Sequence, residues 1–166
     1  MPAEPLFDYK RFNYDKPLYD LNEIRKMNAQ RHEMEQLSGI VWIDEAQQGI
    51  IGFRDYTDDE FWIKGHMPGF PLLPGVLLCE SAAQLAAFFV RKHNLLKAGD
   101  FMGFGGMDEI RFRQAVFPPN RVIFIAKGIR IRPRVVAQFR IQAYVNDTLA
   151  MEGSLLGVPI SRKENL

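Results

Sequence analysis

Residues 65–90 read GHMPGFPLLPGVLLCESAAQLAAFFV. From about Gly75 to about Lys92 the run places Val76, Leu77, Leu78, Ala82, Ala83, Leu85, Phe88 and Phe89 on every side of a helical wheel. A helix that is apolar all round is one that other elements enclose. Yet Glu80 and Gln84 stand inside the run, four residues apart and so neighbours on one helical face. An ionised carboxylate in a dry helix is costly, so Glu80 must be paired, solvated or protonated. Gln84 can orient it through a hydrogen bond. His66 lies fourteen positions before Glu80, in the loop that feeds the helix. Pro68, Pro71 and Pro74 restrict that loop's φ angles and remove backbone donors, while Gly65, Gly69 and Gly75 permit tight turns. A stiff loop suits a side chain that must be aimed. Gly75, at the helix start, leaves a backbone N–H without an intrahelical acceptor, ready for a developing negative oxygen. Histidine, carboxylate and oxyanion donor together point to proton transfer beside a carbonyl. On the residues alone, a Glu80 salt-bridged to His66 or to an arginine for structure is the other reading.

Working outward, the first nineteen residues read as an arm, broken by Pro2, Pro5 and Pro17. DLNEIRKM has Asp20 with Glu23 three residues on, a capping-box pattern that opens a short helix. GIVWID and QGIIGFRD are β-rich and separated by EAQQ, a hairpin pattern. After the long helix come four strand candidates, DFMGFGGMDEIRFR, NRVIFIAKGIRI, RVVAQFRIQAYV and TLAMEGSLLGVPI, with VFPPN and ND among the turns. In the third, Val135, Ala137, Phe139, Ile141, Ala143 and Val145 share one parity. Gln138, Arg140, Gln142 and Tyr144 share the other, which predicts a half-solvated antiparallel sheet. The order is short helix, two strands, long helix, four strands. That is α+β, a sheet curled around one helix, and it argues against a doubly wound parallel sheet.

At 166 residues the chain suits a single domain, residues 20–166, behind the arm 1–19. With 47% hydrophobic and 25% charged residues it is neither disordered nor fibrous. A formal net charge of +1 provides no global field for nucleic acid. One cysteine, Cys79, excludes an internal disulfide framework and suits a reducing compartment. The N-terminus has no signal-peptide pattern, and no apolar run reaches membrane-span length, so a cytoplasmic protein without membrane contact is expected. No second Cys or His has ligand spacing to Cys79 and His66, so no metal is expected.

The stretch GHMPGFPLLPGVLLCESAAQ resembles the signature of the (3R)-hydroxyacyl-acyl carrier protein dehydratases of fatty acid synthesis, G-H-F-P-G-x-P, then P-G-V-L, a Glu and A-Q. Gly65, His66, Pro68, Gly69, Pro71, Pro74, Gly75, Val76, Leu77, Glu80, Ala83 and Gln84 match, with the His-to-Glu spacing kept. MDEIRFRQAVFPPN resembles the family's ARFRRPVVPGD strand and turn, and the likeness spans roughly Asp20 to Pro159. Three places depart from it: AQRHEMEQLSG stands where the family reads PHRYPFLLVDR, Met67 replaces a phenylalanine, and the turn at Pro119–Asn120 lacks its glycine.

The resemblance implies a hot-dog fold, an antiparallel sheet wrapped around one long central helix. It implies an active site at a dimer interface, with His from one subunit and Glu from the other. His66 then matches the catalytic base, Glu80 the acid, Gly75 the N–H that polarises the thioester carbonyl and Gln84 the amide supporting the acid. The partner implied is acyl carrier protein, whose phosphopantetheine carries the substrate, with no further cofactor. A homodimer or a trimer of dimers follows. The arginines Arg111, Arg113, Arg130, Arg132 and Arg134 form either a solvated strand face or a docking patch for the acidic carrier. His32 reads as a surface or pocket histidine, and His93 as structural at the helix end. Alternatives to the dehydratase are a hydratase or thioesterase acting on acyl-coenzyme A, and a non-catalytic acyl-binding module.

Overall fold

The computed structural model describes residues 4–161. Its elements run α1 (Leu21–Met27), a 3-10 turn (His32–Met34), β1 (Gly39–Asp44), β2 (Gly49–Tyr56), α2 (Gly75–Lys92), β3 (Phe101–Phe112), β4 (Asn120–Arg132), β5 (Val136–Val145) and β6 (Thr148–Ile160). The six strands form one antiparallel sheet in the order β1-β2-β4-β5-β6-β3. Helix α2 packs against β2, β3, β4, β5 and β6, so the sheet encloses it as expected. Leu85, Ala86, Phe88, Phe89 and Val90 on α2 are buried, as are Phe124, Phe139, Ile141 and Met151 on the strands facing them.

Local chemistry sets the boundaries. Asp20 accepts from the Glu23 N–H at 3.0 Å and Glu23 reaches back to the Asp20 N–H at 3.2 Å, closing both halves of the capping box that opens α1. The β5–β6 turn is Asn146–Asp147, both at positive φ (46° and 61°), the two-residue hairpin in which Asn and Asp are tolerated. Pro74 precedes the first residue of α2 and supplies no side-chain cap. At the start of β2, a Cβ on Gly49 would lie 2.5 Å from the Phe7 ring, so the arm's approach requires the glycine.

One expectation changes. The alternation of β5 predicts a half-solvated outer face, but Gln142 and Tyr144 on that face are buried. The arm covers them. The Leu6 N–H donates to Gln142 Oε1 at 2.8 Å, and Gln142 Nε2 donates to the Glu4 carbonyl at 3.0 Å. Tyr9 stacks on Tyr144 with ring centroids 4.7 Å apart, and Lys10 pairs with Asp147 at 3.0 Å. Phe7 and Phe12 flank Trp42, and Tyr14 meets Phe53 edge-on. Tyr9, Ile51, Ile125, Tyr144 and Leu149 thereby make a second apolar cluster outside the sheet. A polar residue in a strand marks solvent only if no other segment returns to cover it.

Candidate active site

The charge inside α2 has partners. Gln84 is buried, and its Nε2 donates at 2.7 Å to Glu80 Oε1 and at 2.7 Å to the Met34 carbonyl. Its Oε1 accepts from the Gln36 N–H at 3.0 Å, and its own backbone carbonyl accepts from Asn28 Nδ2 at 2.9 Å. Every donor and acceptor of the carboxamide has a fixed task, so it cannot flip. Glu80 Oε1 must accept. If the carboxyl group holds a proton, that proton is on Oε2. The spacing of Glu80 and Gln84 foretold their contact. What the sequence conceals is the outer support: the segment Met34–Gln36, which departs from the family pattern, contributes only backbone atoms to Gln84. No side-chain pattern could reveal it.

His66 stands on the loop before α2, exposed, with Nδ1 2.7 Å from the Leu72 carbonyl. A carbonyl oxygen can only accept, so Nδ1 carries the hydrogen and the Nε2 lone pair of the neutral ring is free to take a proton. The loop is fastened around it: His66 N–H donates to the Trp62 carbonyl at 2.8 Å, and Met67 and Phe70 exchange backbone bonds at 2.8 Å each way. The His66–Met67 and Pro118–Pro119 peptides are cis. Among the described residues no hydrogen bond or ion pair joins His66 to Glu80 of the same chain.

Gly75 is the first residue of α2, and neither its N–H nor that of Val76 has an acceptor among the described residues. A Cβ on Gly75 would lie 2.8 Å from the Phe112 ring, so the glycine also seats that ring against the helix start. Gly75, Val76, Phe112, Arg113 and Gln114 line an open groove of about 410 Å³. Val76 is 72% exposed and Phe112 53%, and Phe104, Met67 and Phe70 are exposed nearby in sequence or along the β3 edge. On its inner side Glu80 faces a narrow recess of about 40 Å³, lined also by Ala83, Ala87, Met102, Phe104 and Leu156.

The five arginines do not form one patch. Arg111 pairs in register with Glu152 of β6, which faces Gln142 of β5 and then Ile125 of β4. Arg132 lies seven residues farther along β4 than Ile125, roughly 23 Å at the rise of a strand. Arg111 and Arg113 therefore stand at one end of the sheet, beside the groove at Gly75. Arg130, Arg132 and Arg134 stand at the other, where Arg132 and Arg134 approach Leu95 and Leu96. Arg113 is also held by the buried Glu152, at 2.6 Å. His32 is exposed on the 3-10 turn. His93 lies tilted against the Phe89 ring and faces Glu45 at 3.4 Å. The Cys79 thiol contacts Met151, and burial pushes its pKa up to about 11, so it is no nucleophile near neutral pH.

Residues 28–154 match the FabA-like domain family. The chain is similar to the 3-hydroxyacyl-(acyl-carrier-protein) dehydratase FabZ of Moorella thermoacetica, 33% identical over 141 residues, which cover 82% of this chain and 94% of that protein. It is 31% identical over 148 residues to a bifunctional enzyme LpxC/FabZ of Chlorobaculum tepidum, and there it spans 31% of the relative's length. Among solved structures, the dehydratase heterocomplex ApeI:P from Xenorhabdus doucetiae superposes with a TM-score of 0.70 at 13% identity, covering 85% of this chain and 93% of that one. A mutant thioesterase PA1618 from Pseudomonas aeruginosa gives 0.61 at 13% identity, covering 87% and 98%. At these identities the structural likeness is one of fold, and the fold is the expected hot-dog arrangement. Among the described residues no helix is long and apolar enough to cross a membrane.

Proposed function

The chain belongs to the FabA-like family, and from that premise we propose that it removes water from (3R)-3-hydroxyacyl thioesters on acyl carrier protein, giving trans-2-enoyl thioesters for fatty acid synthesis. His66 Nε2 takes the proton from C2. The thioester carbonyl oxygen, on which negative charge develops, accepts from the Gly75 N–H at the positive end of α2. The C3–O bond breaks as Glu80 Oε2 gives its proton to the departing hydroxyl, which leaves as water. One proton is gained at His66 and one lost at Glu80, and their exchange through solvent resets the pair. The observation that carries the reading is the locked Gln84 carboxamide, which holds one oxygen of Glu80 at 2.7 Å and turns the other to the substrate.

The site is completed by a second copy of the chain. His66 does not reach the Glu80 of its own chain, and β3 is an edge strand of the sheet among the described residues, with Phe104 and Phe112 exposed. In a homodimer, alone or as part of a trimer of dimers, His66 of one subunit works with Glu80 of the other. The carrier docks at the Arg111 and Arg113 end of the sheet, and its arm enters along the groove past Val76. Arg132 and Arg134, at the far end, are outside this route.

The test is the absorbance of the conjugated enoyl thioester on mixing the protein with a carrier-linked 3-hydroxyacyl group. His66→Ala and Glu80→Gln should each lose at least about a hundredfold in turnover, as expected for removal of a positioned acid or base. Mixed and re-equilibrated, the two inactive variants should recover activity through heterodimers that hold one intact site. Full activity in either single variant ends the assignment. Inactive singles without recovery on mixing end the shared site.

A further inference from the structure

Behind the recess at Glu80 lies a basin of about 250 Å³ that the proposed chemistry does not use. The two cavities share Gln30, Ala87 and Met102, so they adjoin across these side chains. Four cationic residues line the basin, Arg25, Lys26, Arg31 and Arg91, and among the described residues no acidic one does. Of these Arg25 is neutralised by Glu35, bidentate with contacts of 2.8 to 3.2 Å. The others keep their charge. Arg31 donates only to backbone carbonyls, those of Asn28, Gln30 and Arg25. Arg91 donates to the Asp100 carbonyl. Lys26 has no ion-pair partner among the described residues. In a chain of net charge +1, three uncompensated cations around one cavity select for an anion.

The direction of the substrate says which anion. On the reading above, C1 is held at Gly75 and the C3 hydroxyl at Glu80, so the acyl group runs along α2 toward its C-terminus while the thioester arm leaves by the Val76 groove. Glu80, Ala83, Ala87 and Arg91 share one face of the helix. The small side chains at 83 and 87 leave room along it, and Arg91 closes it. From Glu80 to Ala87 the helix rises about 10 Å, and to Arg91 about 16 Å. An extended alkyl chain advances roughly 1.25 Å per carbon given ordinary C–C bond lengths. The distal end of an acyl group of about eleven or twelve carbons therefore arrives among Lys26, Arg31 and Arg91. A methyl end would displace water from three cations and pair with none of them.

We infer that the basin at Lys26, Arg31 and Arg91 binds a carboxylate at the far end of the acyl group, making this chain selective for 3-hydroxyacyl thioesters of ω-carboxylated, medium-length acids. The inference rests on the dehydratase reading for its direction. It is tested with N-acetylcysteamine thioesters, which bring neither carrier nor phosphate. One carries 3-hydroxydodecanoate, ending in methyl, and the other 3-hydroxydodecanedioate, ending in carboxylate. The wild type should favour the second by at least tenfold in kcat/KM. In Arg91→Gln and Lys26→Gln, each with a melting curve to show that it folds, the ratio should fall toward unity. An equal or better rate for the methyl-ended substrate in the wild type overturns the proposal, as does a ratio that both variants leave intact. Coenzyme A thioesters form a second arm. If the variants slow both coenzyme A substrates alike and neither N-acetylcysteamine one, the basin reads the phosphate of the arm and the proposal is wrong. Should the wild type fail even on 3-hydroxybutyryl thioester, the dehydratase reading has failed. Calorimetric binding of dodecanedioate against dodecanoate then still decides the basin: tighter binding of the diacid, lost in Arg91→Gln, upholds it, and equal binding refutes it.

Discussion

Replacing Gln84 by leucine separates the two tasks of its carboxamide, supporting the fold and aiming the acid. Leucine has similar bulk, so the cost is in polar groups. Three lose their partner: the Gln36 N–H, the Met34 carbonyl and Glu80 Oε1. Gln36 is fully buried, so its N–H bears an unrelieved desolvation penalty, whereas Met34 is exposed and its carbonyl can recruit water. With a buried unsatisfied group costing about 1–3 kcal/mol and the wetter ones less, the destabilisation should be roughly 2–4 kcal/mol. For a chain of this size that corresponds to a fall in Tm of about 5–12 °C. Glu80, freed from its tether, samples rotamers that point away from C3, and misplacing a reacting group by about 1 Å costs on the order of a hundredfold in rate. The loss should appear in kcat with KM little changed, because Gln84 itself does not touch substrate. Differential scanning fluorimetry and the enoyl absorbance assay read the two effects from one preparation. A variant that melts within about 2 °C of the wild type and keeps kcat within about threefold would show that the network in α2 neither supports the fold nor aims the acid.

Other outcomes follow from the same contacts. Arg111→Gln, which breaks no ion pair among the described residues and sets no carboxylate opposite Glu152, should lower kcat/KM severalfold for carrier-linked substrate and leave N-acetylcysteamine thioesters unaffected; equal loss with both would remove the carrier from that end of the sheet. Gly75→Ala should reduce kcat/KM severalfold, because its Cβ meets the Phe112 ring at 2.8 Å and displaces the wall of the groove, with a Tm shift of only a few degrees since that ring is half exposed. Desolvation first, then Asp147, pushes the Tyr9 phenol up to about 12, and burial pushes Tyr144 to about 12. The unfolded phenols titrate near 10, so the folded state holds these protons more tightly, and their contribution is complete below pH 10 and lost as pH rises to 12. Proteolytic cleavage of the arm should accelerate in that window before the domain melts, and Tyr9→Phe should delay it; an arm equally protected at pH 9 and pH 12 would refute this.

How far the fold could be read from the chain depends on whether its signal was local. The limits of α2 at Gly75 and Lys92 follow from proline and glycine on one side and the end of the apolar run at Arg91–Lys92 on the other. The capping box of α1 and the Asn146–Asp147 turn are legible for the same reason: neighbouring residues satisfy one another. The arm was not. Pro2, Pro5 and Pro17 show that it is neither helix nor strand, but not where it lies. Its docking depends on Gln142 and Tyr144, more than a hundred residues away, whose own pattern points to solvent.

The site divides along the same line. The candidates His66, Gly75, Glu80 and Gln84 can be named from the chain because a single loop and helix hold them all, and because a carboxylate in an apolar helix demands an explanation. The arginines from Arg111 to Arg134 looked like one patch because they are close in sequence. Strand β4, however, runs antiparallel to β3 with β5 and β6 between them, and the register through Glu152, Gln142 and Ile125 sets Arg132 seven strand residues from the level of Arg111. The reverse error hides the basin. Lys26 sits in the last turn of one short helix with Arg31 just beyond it, Arg91 sits in the last turn of the long one, and each taken alone is an ordinary cation near a helix C-terminus, where the dipole favours it. Only the packing of α1 against α2 brings them around one cavity behind Glu80. What distinguishes a specificity site from three helix-end cations is therefore that its lining, among the described residues, holds no carboxylate. That property belongs to a surface and not to a segment, and no window moved along the chain can register it.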